Sequence, residues 1–156
     1  MKSIFLSRPT FISKEYEQGM DNFLTLLRAS DIEPRTIGTT DFNFKSPMDG
    51  VIELMRKCSG AIILGYPQIV INDGLLKDTP LSTPVILGTE WNHIEAALAY
   101  SLGIPTLVIR DRTVSTRGVF DRGTLNAFLY PIDLKNASWS TDTRISGAIR
   151  NWRDKL

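Results

Sequence analysis

Residues 89–103 read T-E-W-N-H-I-E-A-A-L-A-Y-S-L-G, and both ends of a helix are written into them. Thr89 offers an N-cap hydroxyl, Glu90 puts negative charge in the first turn, and Gly103 followed by Ile104-Pro105 is a stop signal. Stepping at helical period from Trp91, residues Ile94, Leu98 and Leu102 fall on one apolar stripe, expected to face the core. Glu95 lies at the margin of that stripe. On its other side stand Asn92, Ala96 and Ala99, small residues expected to leave room for a ligand. A carboxylate at the edge of a buried face loses hydration, which raises its pKa unless a cation or donor compensates. Glu95 is therefore a candidate for chemistry, against the plainer reading that it reaches solvent along the helix edge.

The flanks of this helix set the fold. Upstream, Gly60-Ala61-Ile62-Ile63-Leu64-Gly65-Tyr66-Pro67 is a continuous apolar run too short for a helix, as expected of a central strand covered on both faces. Downstream, Pro105 to Ile109 is a second such strand, ended by Arg110-Asp111-Arg112. Between the first strand and the helix, residues 66–88 read as a loop, long for a compact domain without a functional reason.

Further out, Ser3 to Ser7 form a short strand broken by Arg8-Pro9. Tyr16, Met20, Phe23, Leu24 and Leu27 give a helix over Ser13 to Ser30. Glu33 to Ile37 is a weaker strand, followed by a polar loop that carries Phe42 and Phe44. Ser46-Pro47-Met48-Asp49 opens a helix running to about Cys58, with Met48, Val51, Ile52 and Met55 expected inward. Ala127 to Ile132 is a last strand, and Ile145, Ala148, Ile149, Trp152 and Leu156 stripe a closing helix.

Strands alternating with helices predict an α/β chain, a flavodoxin-like three-layer fold with a central parallel sheet of four to five strands and helices on both faces. Ligands of such sheets sit at the carboxyl ends of the strands. Ser7-Arg8, Gly65-Tyr66, Arg110 and the start of the Glu95 helix are expected at that edge.

The chain has 156 residues, 42% hydrophobic and 22% charged, with a formal net charge of +1. That length fits one domain over residues 1–156, with room for it to be the N-terminal part of a longer protein. The charge balance gives no electrostatic reason to invoke nucleic acid or membrane. One cysteine, Cys58, and a start without a long apolar h-region fit a cytoplasmic protein. With one histidine, His93, no metal site assembles from the usual ligands, and no cofactor is expected. His93 projects away from the stripe, toward solvent.

Trp91-Asn92-His93-Ile94-Glu95, followed by Ala97-Leu98, Gly103-Ile104-Pro105 and a buried strand, resembles the W-x-x-x-E helix of Toll/interleukin receptor (TIR) domains that cleave NAD. Phe5-Leu6-Ser7-Arg8 resembles that family's first strand and following loop. The resemblance implies that Glu95 is the catalytic residue of an NAD hydrolase of a bacterial antiphage defence system, with NAD as substrate and a homo-oligomer formed on activation. The chemistry accords with one desolvated carboxylate. Breaking the nicotinamide–ribose bond builds positive charge on the sugar, and nicotinamide leaves already neutral.

Ser7, Arg8, Tyr66, Trp91 and Asn92 complete the expected substrate-binding set. Arg8 is a fork donor for phosphates and Tyr66 a ring or ribose contact. The competing readings are a surface charge for Arg8, a core-edge tyrosine for Tyr66 and a packing anchor for Trp91. The sequence also resembles nucleoside 2-deoxyribosyltransferases, whose glutamate nucleophile lies in a D-x-G-T-x-x-E pattern. Gly88-Thr89 matches, but Ile86 stands at the aspartate position and Glu95 follows Thr89 by six residues. A third reading is a TIR module that binds nucleotide or self-associates without turnover.

Overall fold

The computed structural model describes residues 1–125 and 127–156. In chain order the elements are β1 (Lys2–Ser7), α1 (Lys14–Ala29), β2 (Ile32–Arg35), α2 (Pro47–Met55), β3 (Gly60–Gly65), β4 (Ile69–Ile71), β5 (Leu75–Leu76), β6 (Thr79–Pro80), β7 (Val85–Leu87), α3 (Glu90–Ser101), β8 (Thr106–Asp111), β9 (Phe128–Ile132) and α4 (Thr143–Arg153). Five of the strands make one sheet in the order β2-β1-β3-β8-β9. Every pairing in it is parallel, with Phe5 opposite Ala61 and Ile63 opposite Val108. This is the three-layer, flavodoxin-like α/β arrangement.

Alternation along the buried strands decides which helix packs where. Ile4, Leu6, Ile62, Leu64, Leu107 and Ile109 point to one face and meet residues of α1 and α4, including Phe23, Ile145 and Trp152. Phe5 and Ala61 point to the other, against Val51, Leu54 and Met55 of α2 and Ala99 of α3. Ile63 and Val108 extend that second layer to Ala96, Val119 and Phe120. The crossovers after β1 and β3 thus lie on opposite faces, and a crevice opens at the carboxyl ends of those strands.

Three expectations are corrected here. The stretch 66–88 is not one irregular loop, because β4 pairs antiparallel with β7 and β5 with β6. These two small ribbons satisfy much of its backbone outside the main sheet. In α2 the buried residues are Gly50, Val51, Leu54 and Met55. Met48 sits one residue into the helix and is exposed.

The third concerns α3, whose packed face is the small one. Asn92, Ala96 and Ala99 are buried, whereas Trp91 and Ile94 are 40% and 36% exposed. Alanines at i and i+3 let the helix lie close on β3 and β8, so they fill with strand side chains the space expected for a ligand. Trp91 and Glu95 are consequently rotated toward the rim of the crevice.

Candidate active site

Ser7 ends β1, a strand paired on both edges, so its position is set by the sheet. Across from it, Thr89 caps α3, its hydroxyl accepting from the Asn92 amide at 3.2 Å. The cap fixes the first turn of α3, and Asn92 reaches from that turn to donate through Nδ2 to the Ser7 hydroxyl at 2.8 Å. Both residues are 1% exposed.

Beside this junction lies a pocket of about 300 Å³. Arg8 beyond β1, Thr36 beyond β2, Pro47 and Val51 of α2, and Trp91 and Glu95 of α3 form its walls. Burial pushes the Glu95 carboxyl up to about 7, and a hydrogen bond with the Ser7 hydroxyl works in the other direction. At neutral pH the group is therefore close to half ionised.

Arg8 is the other charged side chain on the pocket wall. Burial lowers its pKa, with the Tyr66 phenol and Asp21 acting against that. Among the described residues its guanidinium has no carboxylate within salt-bridge distance. A partly desolvated guanidinium without a protein anion is a fitting receptor for an anionic ligand group.

The structure brings Arg8, Trp91 and Glu95 to one cavity and leaves the other sequence candidates off its walls. Ser7 and Asn92 are bonded to each other behind it, with Asn92 Oδ1 buried and without a partner among the described residues. Tyr66 is fully buried on the α1 face, its ring edge-on to Tyr16 at a centroid distance of 5.3 Å. It follows β3 by one residue, and the strand's alternation sends it away from α3; burial raises its phenol's pKa. Arg110, expected at the site edge, is buried and donates through Nη1 to the carbonyls of Asp111, Arg112 and Val114, at 2.6 Å for the last. It holds the turn after β8.

His93 is half-buried and does not project freely into solvent. Its Nδ1 accepts from the Val119 amide at 3.2 Å and its ring meets Phe120 edge-on at 5.3 Å. Burial lowers its pKa, consistent with a neutral ring that fastens α3 to residues 118–120. Sequence reasoning missed Thr36, Pro47 and Val51 as pocket walls. The register of β2 beside β1 brings Thr36 there, and the packing of α2 against β1 and α3 brings Pro47 and Val51, both long-range relationships.

No family model matches the sequence, and no curated protein matches it. Among solved structures, the chain is similar to the CMP N-glycosidase BcmB of Clostridium botulinum, at 17% identity and a TM-score of 0.49. The match covers 88% of this chain and 96% of that one. A likeness of that degree transfers neither substrate nor residue roles, so the chemistry rests on the geometry above.

Proposed function

We propose that this chain is an N-glycosidase that cleaves the bond between base and ribose of a nucleotide, with Glu95 as its catalytic group. The observation that supports it is a desolvated carboxylate facing a pocket whose one other charged side chain, among the described residues, is an arginine without a carboxylate partner. Lengthening of the C1′–N bond places positive charge on the sugar, and an ionised carboxylate held in a water-poor wall stabilises it or attacks C1′ directly. Water then supplies hydroxyl to C1′ and, for an ordinary base, hydrogen to the departing ring. Arg8 receives the phosphate, and Trp91 offers an exposed ring face to the base.

A pocket of about 300 Å³ is at the low end for small-molecule sites, roughly 300–1,000 Å³. It suits one nucleoside monophosphate better than a whole dinucleotide. The NAD hydrolase reading stands second and has its own support. Glu95 is the only carboxylate on the described pocket wall, and nicotinamide departs neutral, without a general acid. In that reading the nicotinamide half enters the pocket and the adenylate half lies outside it. Self-association through the loop of Phe42 and Phe44, which are 80% and 111% exposed, belongs with it.

The test is chromatography of free base after incubation with pyrimidine and purine nucleoside monophosphates, their nucleosides, nicotinamide mononucleotide and NAD. Release of base from a monophosphate in preference to its nucleoside supports the proposal. Release from NAD alone selects the second reading, and cleavage of the phosphate ester in place of the glycosidic bond removes both.

A further inference from the structure

Gln68 lies between β3 and β4 and bonds to both of the segments that carry charge to the pocket. Its backbone amide donates to the Leu87 carbonyl at 2.8 Å, just ahead of the Thr89 cap of α3. Its side-chain Nε2 donates to the Phe11 carbonyl at 3.1 Å and to the Pro67 carbonyl at 2.9 Å. A carboxamide nitrogen has two hydrogens, so both are used, and two carbonyl acceptors fix which end of the amide faces them. Phe11 belongs to the turn that leaves β1, whose Arg8, Pro9 and Thr10 are pocket walls. Pro9 is buried and Ile12 packs on the α1 face, but among the described residues no other hydrogen bond joins Pro9, Thr10, Phe11 or Ile12 to a different element. The sheet fixes this turn at its Ser7 end, and Gln68 fixes it on the far side of Arg8. The geometry points to Gln68 as a positioning residue: its carboxamide holds the Arg8 turn to the segment that leads into the Glu95 helix, and so sets where the guanidinium stands relative to the carboxylate.

The inference rests on the proposed reading of Arg8 as the receptor of the phosphate. A guanidinium reads a phosphate through two parallel bonds, and that geometry tolerates little displacement. Without the Gln68 donors the Phe11 carbonyl turns to water and the turn loosens beyond Arg8. Glu95 stays in place, because α3 is held by the Thr89 cap and by the bond from Asn92 to Ser7. The backbone bond from Gln68 to Leu87 also survives a change of side chain. The loss therefore falls on binding of phosphorylated substrates and not on the chemical step.

The experiment compares wild type with Gln68→Met, which keeps the length of the side chain and removes its donors, on a nucleoside monophosphate and on the matching nucleoside. KM for the monophosphate should rise about three- to tenfold, with its kcat and the nucleoside's kcat/KM within about twofold of wild type. In an Arg8→Ala background the same substitution should add little, as expected of two residues acting through one contact. A merely structural role would slow both substrates alike. In the ligand-free protein, backbone nitrogen relaxation at Thr10 and Phe11 should show order parameters falling from about 0.85 to about 0.6 or less. Equal loss on both substrates, a KM step that persists in full without Arg8, or unchanged order at Thr10 and Phe11 would overturn the inference. The relaxation measurement needs no turnover, so its failure is distinguishable from a wild type that cleaves no monophosphate, which is failure of the N-glycosidase reading.

Discussion

Asn92 and Ser7 lie 85 residues apart in sequence and are joined by a 2.8 Å hydrogen bond buried between the first turn of α3 and the end of β1. This bond ties the helix carrying Glu95 to the strand that delivers Arg8. The carboxylate and the guanidinium therefore share one rigid frame, which is the condition for placing a sugar and its phosphate together.

Activity should follow the ionised form of Glu95. With a midpoint of about 7, kcat/KM is expected to rise about tenfold per pH unit below that value and to level off above it. A pH–rate profile on the preferred nucleotide measures this. A profile flat from pH 5 to 8 would argue against ionised Glu95 as the working group.

The same carboxylate should weaken the fold as pH rises. Its native pKa is raised from 4.5 to about 7, so between those values the folded chain holds a proton the unfolded chain has released. Stability is then fully present below about 4.5 and is lost as pH climbs through 7, by about 1–3 kcal/mol. Glu95→Gln has no such group. It should melt above wild type at pH 8 and show little difference at pH 4.5, as measured by thermal denaturation at the two values.

Arg8→Ala should raise KM for a nucleoside monophosphate about tenfold or more while leaving the matching nucleoside little changed. Arg8→Lys, which keeps charge but loses the fork, should fall between. Equal loss on both substrates in steady-state kinetics would mean that Arg8 does not read the phosphate.

Close approach constrains the end of β3. A Cβ on Gly65 would lie 2.6 Å from the Phe120 ring and 3.1 Å from Arg110 Cβ. Gly65→Ala should therefore cost roughly 1–3 kcal/mol in urea unfolding. Phe120→Leu in the same chain should recover part of it.

The elements with local signals were legible from sequence. Ser46 and Thr89 mark helix starts and their side chains accept from Asp49 and Asn92 amides, while the unbroken apolar runs at Gly60–Gly65 and after Pro105 are buried strands. The facing of α3 was not legible, because periodicity gives a stripe its spacing but not its partner. Alanines against a close sheet outcompeted the bulkier Trp91 and Ile94, which a hydrophobicity count ranks higher. Tyr66 was misplaced by one residue of strand alternation, which sends a side chain to the opposite layer. Arg8 and Glu95 were both candidates in sequence, yet the pocket between them depends on β2 lying beside β1, and nothing local encodes that pairing.

The most direct measurement is base release from the best-cleaved nucleotide at pH 8 by wild type beside Glu95→Gln, with folding of both confirmed by near-ultraviolet circular dichroism. Wild-type turnover with a loss of roughly 10³-fold or more in the variant is the expected result. Turnover retained by Glu95→Gln within a few fold of wild type would contradict the assignment of Glu95 as the catalytic group.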